Sequence, residues 1–283
     1  MEATGFVVDS DHLRRDTTLN LPREFAEPLD RVAGVLAPLA ARVVWHAETG
    51  STNADMAALA EAGAPEGCIV IADAQTAGRG RMGRSWSSPP GAGIYASVLF
   101  RPSPSVARML TLATGVAVAD AIDVSTGIAP VLKWPNDVYL GGGPTSGRKV
   151  AGILAEAGVS GRETWVVVGF GINVLPVVLP RELAARATSL EGELGRSVDR
   201  GELLATCLCH LAARYEDLRR GRSRAVTDAW RYRASATFGK PVEWDENGAV
   251  QSGVVRDLDD EGALIVDTPG GVARLVSGEL RWM

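Results

Sequence analysis

Three arginines and three glycines share nine positions in GRGRMGRSW (78–86), and a tryptophan closes the run. Guanidinium groups bind carboxylates and phosphates through paired, charge-assisted hydrogen bonds. Glycines let backbone amides approach such a ligand closely. The chemistry implied is the handling of an anion. The run also satisfies two nucleotide-binding signatures. Gly78, Gly80 and Gly83 match G-x-G-x-x-G, and Gly78 with Gly83, Arg84 and Ser85 approximates a P-loop with arginine in the lysine position. Both signatures require a helix to open at the loop, because the helix N-terminus supplies the anion site. Here the chain continues through Ser87-Ser88-Pro89-Pro90-Gly91 into the strand-like GIYASVLF, so neither applies. What remains is a strand–loop–strand segment. Its Arg79, Arg81 and Arg84 can neutralise carboxylate or phosphate, and its Trp86 either stacks on a flat ring or packs as core. A solvated basic loop is the plain alternative.

Four further stretches carry polar groups in unusual settings. LKWPNDVYL (132–140) gathers Lys133, Asn136 and Asp137 around a Trp-Pro pair directly after an apolar run. Strand ends are where open α/β folds place their chemistry, although Pro-Asn-Asp is also an ordinary turn. GRKVAGILAE sets Lys149 at the opening of a strand, with Glu156 further along. In VVVGFGINV, Gly169 and Gly171 either admit a ligand against the backbone or mark a bulge, with the Asn173 amide beside them. In GSTNAD (50–55), Thr52 with Asp55 three later reads as a helix cap, flanked by Ser51 and Asn53. Of 29 basic residues only Lys133, Lys149 and Lys240 are lysine, which reflects either a need for a compact ammonium or chance.

The elements that must position these groups follow from periodicity. VVWHAE, CIVIADAQ (68–75), GIYASVLF (93–100) and IAPVLKWP read as strands, the last ended by Pro135. A helix follows GSTNAD and ends at Gly63, and SVARMLTLATGVAVADAID forms a long one. The glycine-rich turn LGGGPTSGR leads to KVAGILAEAGV and then ETWVVVGFGINV, which read as paired strands, and residues 181–233 read as mainly helical. From about residue 236, short β-runs separated by Glu-Asn-Gly, Asp-Glu-Gly and Pro-Gly-Gly predict a small antiparallel barrel of SH3-like size. Residues 1–42 are polar, then briefly helical in LDRVAGVLAPLAARV with an interruption at Pro38. That is too little for a winged-helix or helix-turn-helix module with its own core.

Composition narrows the function. The chain has 283 residues and a net charge of −5, which argues against general nucleic-acid or membrane-surface binding. Three cysteines imply no disulfide framework; Cys207 and Cys209, two apart on a helix, point in different directions. With three histidines besides (His12, His46, His210), no zinc site is expected. The N-terminal sequence has no signal-peptide core, and no stretch reads as long and apolar enough to span a bilayer, so the expected address is the cytoplasm.

Taken in order, GSTN, QTAGRGRMGRSW, KWPND, RKVAGILAE and GFGIN resemble the biotin protein ligases, which share their catalytic fold with lipoate ligases. The resemblance covers residues 43–235, and the β-rich tail is similar to the family's small C-terminal domain. It implies an α+β protein: a mixed-sheet, class II synthetase-like catalytic domain at 43–235, then an SH3-like barrel at 236–283. It also implies the monofunctional class, since the lead-in 1–42 lacks a winged helix. The activity implied joins biotin to ATP as biotinyl-5′-AMP, then passes the biotinyl group to one lysine of a biotin carboxyl carrier domain. Mg²⁺ would accompany the ATP, with no dedicated metal site in the protein. By resemblance, Ser51, Thr52, Asn53, Gln75, Gly78, Arg79, Gly80, Arg81, Lys149 and Gly169 hold biotin. Arg84, Trp86, Lys133, Asn136, Gly171 and Asn173 line the nucleotide side. Lys149, Arg81 and Asp137 carry the chemistry, Asp137 as base or orienting group for the acceptor lysine or, with Asn136, as a contact to Mg²⁺. A lipoate or octanoate ligase on the same scaffold is the nearest rival, and a non-catalytic RNA- or peptide-binding module a distant one. Partners are the carrier domain alone, with neither nucleic acid nor membrane, and the enzyme is a monomer or homodimer.

Overall fold

Alternation along two strands decides the layout. In Gly93–Phe100 (β3), Ile94, Ala96, Val98 and Phe100 enter one apolar cluster, as do Val166, Val168, Phe170 and Ile172 in Glu163–Asn173 (β7). The positions between them, Tyr95, Ser97, Gly169, Gly171 and Asn173, face the other way because side chains alternate along a strand. One sheet face is therefore driven under helices by the hydrophobic effect. The opposite face is small and polar at these positions, and further along it Leu99 and Val167 join a second, smaller apolar cluster with Met56 and Val70.

The structure, a computed structural model, describes residues 21–37, 39–141, 146–161, 163–177, 184–246 and 248–283. Residues 1–20 of the polar lead-in, Pro38 and residues 142–145 of the glycine-rich LGGGPTSGR turn lie outside them. Around β3 and β7 the main sheet adds Arg42–Thr49 (β1), Cys68–Gln75 (β2), Val131–Lys133 (β4), Asp137–Leu140 (β5) and Arg148–Ser160 (β6). Their order is β1-β2-β3-β7-β6-β5-β4. β1 and β2 run parallel, joined by helix α2 (Thr52–Glu61), and the other neighbours pair antiparallel. This is the expected mixed sheet of an α+β fold. Its register sets Ser97, Gly169 and Leu154 in one cross-strand row and Tyr95, Gly171 and Gly152 in the next.

Helices α1 (Arg23–Leu36), α3 (Pro104–Thr126), α5 (Arg200–Arg219) and α6 (Ser223–Arg233) cover the apolar face; a short α4 spans Leu190–Leu194. α3 packs on α5 and α6, and α1 packs on α5. The expected start of helix near Leu29 is too late. α1 begins at Arg23, because Phe25 supplies an apolar anchor one turn before Leu29 and both are buried. A second correction concerns α3, which does have the length and apolar composition of a membrane span. Its apolar character has another cause: 72% of the span-like window is buried, between sheet and helices. Pro104 opens it and Gly127, at φ +78°, closes it in the left-handed conformation.

A second, five-stranded antiparallel sheet follows: Pro241–Glu246 (β8), Ala249–Leu258 (β9), Leu264–Thr268 (β10), Gly271–Leu275 (β11) and Arg281–Trp282 (β12), ordered β11-β10-β9-β8-β12. The expected Gly248, Gly262 and Gly271 turns separate these strands, each with positive φ. Trp134 Nε1 donates to the Gly262 carbonyl at 3.1 Å, tying this sheet to the turn between β4 and β5.

Candidate functional site

Above the polar face of the main sheet lies a cavity of about 930 Å³. The size suits a small-molecule site. Its floor is flat because Gly152, Gly169 and Gly171 bring no side chains there. Trp86 rests on this floor: a Cβ at Gly171 would lie 2.6 Å from its Cε2, and one at Gly152 would lie 3.1 Å from its Cζ3. The two glycines that the sequence left between ligand approach and bulge thus clear space for side chains above them.

One end of the cavity is a buried polar cluster. Ser97 Oγ donates to Asn53 Oδ1 at 2.6 Å and lies 2.8 Å from Thr52 Oγ1. Thr52 donates through its backbone N–H and its hydroxyl to Gln75 Oε1, and Gln75 Nε2 donates to Ser88 Oγ. Asn53 Nδ2 donates to Glu156 Oε2 at 2.7 Å and to the Leu154 carbonyl at 3.2 Å. The expected cap at Thr52 is corrected here. Ser51 is the N-cap of α2 and makes no side-chain cap bond; Thr52 is already helical and turns to Gln75. Asp55 accepts instead from Thr49 Oγ1, so a local motif has been recruited by tertiary partners.

The arginine loop folds back as a small hairpin over this floor. Trp86 N–H donates to the Gly78 carbonyl and Gly80 N–H to Arg84, and Arg79 bridges to Ser85. Ala77 N–H donates to the Gly50 carbonyl, which seats the loop on the α2 entrance. Met82 (φ +58°) and Gly83 (φ +72°) make the exposed tip. The three arginines end on three different elements: Arg79 on Glu156 of β6, Arg81 on Asn136 Oδ1 at 3.1 Å, and Arg84 on Glu279 at 2.9 Å, just before β12.

The other end is electropositive. Lys149 Nζ stands 2.6 Å from Asp137 Oδ1 and 5.2 Å over the Trp86 ring. Its approach to Asp137 lies off the hydrogen-bond direction, so the pair is a charge contact. Its backbone is pinned by a parallel bridge, Lys149 N–H to the Arg186 carbonyl and Thr188 N–H to the Lys149 carbonyl. Lys133 Nζ lies 5.5 Å from the Tyr139 ring centre. Burial pulls the Lys133 ammonium below its ordinary pKa, although Asp137 opposes the shift. Burial likewise lowers Arg81, against Asp137. Arg81, Arg84, Lys133 and Lys149 thus share the two carboxylates of Asp137 and Glu279, leaving an excess of positive charge. Such a place attracts an anion and stabilises negative charge that develops there.

Nearly every residue expected from the sequence lines this one cavity: Ser51, Thr52, Asn53 and Gln75 at the polar end, Lys133, Asn136, Asp137 and Lys149 at the cationic end. Asn173 lines it too, but gives its amide to the Thr188 carbonyl. Gly78 stands apart from the lining. A Cβ there would come within 2.9 Å of Ser88 Oγ and closer still to the Trp86 carbonyl, so it is needed for the loop's own turn. Sequence reasoning missed Ser97, Glu279 and the 184–189 strap. Ser97 had a signal, as the one serine in a strand run otherwise apolar and aromatic. Among the described residues no three histidine, cysteine, aspartate or glutamate side chains gather to hold a metal ion.

The Biotin/lipoate A/B protein ligase family matches residues 47–173, and the Biotin protein ligase C terminal domain matches 237–279. Over 243 residues the chain is 38% identical to the biotin–[acetyl-CoA-carboxylase] ligase of Mycobacterium tuberculosis, covering 83% of this chain and 86% of that one. It is 31% identical to the bifunctional ligase/repressor BirA of Bacillus subtilis, over 98% of this chain and 85% of the relative. Among solved structures, the biotin protein ligase from Aquifex aeolicus in complex with biotin and ATP superposes with a TM-score of 0.73 at 30% identity, over 86% and 99% of the two chains. The chain belongs to the biotin protein ligases, a family of enzymes.

Proposed function

We propose that this enzyme activates the biotin carboxylate with ATP as biotinyl-5′-AMP and then transfers the biotinyl group to one lysine of a biotin carboxyl carrier domain. The observation that carries the reading is the convergence of Arg81, Lys133 and Lys149 at one end of a glycine-floored cavity whose other end is polar and buried. A carboxylate and an α-phosphate repel each other, and these cations offset the repulsion. In the first step a biotin carboxylate oxygen bonds to the α-phosphorus and pyrophosphate leaves. In the second the acceptor amine bonds to the acyl carbon, AMP leaves and the amine loses a proton.

In this reading Ser51, Thr52, Asn53 and Gln75 meet the biotin rings, with Arg79, Gly80 and Gly169 closing around them. Lys149 exchanges Asp137 for the substrate anions, which frees Asp137 to orient or deprotonate the acceptor lysine. Trp86, Arg84, Asn136, Gly171 and Asn173 serve the nucleotide. Mg²⁺ arrives on the ATP phosphates, as a cation held by nucleotide oxygens and water more than by a protein cage. We read the β8–β12 sheet as an SH3-like domain beginning at residue 236, behind a class II synthetase-like domain from residue 43. We further read the enzyme as one of the cytoplasm.

The test is biotin-dependent pyrophosphate release, followed by a streptavidin blot of a carrier domain incubated with enzyme, biotin and Mg·ATP. Lys149→Ala and Arg81→Ala should each slow adenylate formation by about 10²–10³. No release with biotin, or equal release with lipoate, would overturn the assignment.

A further inference from the structure

One oxygen of Glu156 holds side chains from two different elements. Oε2 accepts from Asn53 Nδ2 at 2.7 Å and from Arg79 Nη2 at 3.1 Å. Glu156 stands behind the cavity wall, on the same strand face as Gly152 and Leu154. An asparagine amide has a donor end and an acceptor end, and a carboxylate accepts only. Glu156, with the Leu154 carbonyl that accepts from the same Nδ2 at 3.2 Å, therefore fixes which way Asn53 faces, its NH₂ toward β6 and its carbonyl toward Ser97 Oγ at 2.6 Å. The same carboxylate draws in the first arginine of the loop. Arg81 and Arg84 are held by Asn136 and Glu279, so Glu156 is the partner that ties the loop to β6.

We propose that Glu156 is a positioning residue for the acid substrate: its charge sets the orientation of Asn53 and, through Arg79, holds the arginine loop down over the polar end of the cavity. The inference rests on the ligase reading above for its substrate, but not for its geometry. Glu156 works on the bound ground state and the transition state alike, so its loss removes uniform binding. That appears in KM and leaves kcat.

Glu156→Gln keeps shape and an acceptor oxygen while removing the charge, so the fold is retained. Steady-state biotin-dependent pyrophosphate release by the full chain should show KM for biotin raised about five-fold, the ratio expected for a partly exposed ion pair. kcat should stay within about two-fold, and KM for ATP should not move. In a cycle with Arg79→Ala, the double variant should show less than the product of the two single effects. Trypsin should cleave the loop at Arg79 and Arg81 faster in Glu156→Gln than in the unmodified enzyme. An unchanged KM for biotin, a full product in the cycle, or a fall in kcat and Tm at constant KM would each overturn the proposal. Should the unmodified enzyme release no pyrophosphate with biotin, the ligase reading fails. The trypsin comparison then decides the loop tether by itself, and equal cleavage rates refute it.

Discussion

Gly169→Ala tests the packing argument most directly. The backbone at Gly169 is ordinary strand with no positive φ, so alanine is unstrained there and only space is at issue. The added Cβ would lie 2.9 Å from Asn53 Cγ and closer still to Oδ1, whereas ordinary contact begins near 3.4 Å. The amide must retreat by roughly an ångström, beyond the reach of Ser97 Oγ and out of line with Glu156, whose bonds to Asn53 are 2.6 and 2.7 Å long. Losing one neutral bond and one to a charged group costs about 3 kcal/mol in all. For a chain of this size that lowers Tm by roughly 5 °C. Calorimetry of Gly169→Ala, Asn53→Ala and the double variant provides the assay. Because Asn53→Ala removes the atoms that clash, the double variant should be more stable than the sum of the singles predicts, by at least about 1 kcal/mol. An unshifted Tm for Gly169→Ala, or strict additivity in the cycle, would refute the reasoning.

Gly171→Ala should behave differently although it is two residues away. Its Cβ would meet the Trp86 ring at 2.6 Å, but that ring is only half-buried and its Nε1 has no hydrogen-bond partner, so it can shift cheaply. The melting temperature should stay within about 2 °C, while calorimetric titration should show ATP affinity falling several-fold, about 1 kcal/mol. Lys133 supplies a pH prediction. Burial holds its ammonium below the ordinary 10.5, and an incoming phosphate chain would raise it again. ATP binding should therefore take up protons between those two values and weaken as pH rises through that window. Titrations in buffers of different ionisation enthalpy check this, and Lys133→Met should abolish the uptake. Gly34 lies inside α1, exposed and with open space around its Cβ position. Gly34→Ala should stabilise the enzyme by about 0.5–1 kcal/mol in thermal unfolding; no change would mean that α1 melts separately from the catalytic domain.

Residue types and their spacing already declared the chemistry. An arginine–glycine loop between strands and ammonium groups at Lys133 and Lys149 fitted an anion, with a solvated basic loop as the plain alternative, and strand periodicity showed the elements that carry them. These signals are local, so they survive in a linear reading. Tertiary structure alone decided which groups pair. Thr52 looked like a cap but meets Gln75; α3 has the length and apolar make-up of a membrane span, which the linear reading passed over, and fills the core; Arg84 found Glu279 almost two hundred residues away. Ser97, one hydroxyl in an apolar strand, took on meaning only when the register set it beside Gly169 under Asn53. The reason is physical. A side chain's type states what it can bond to, whereas its partner is chosen by sheet register and by the closeness that glycine allows, and neither exists until the strands have paired.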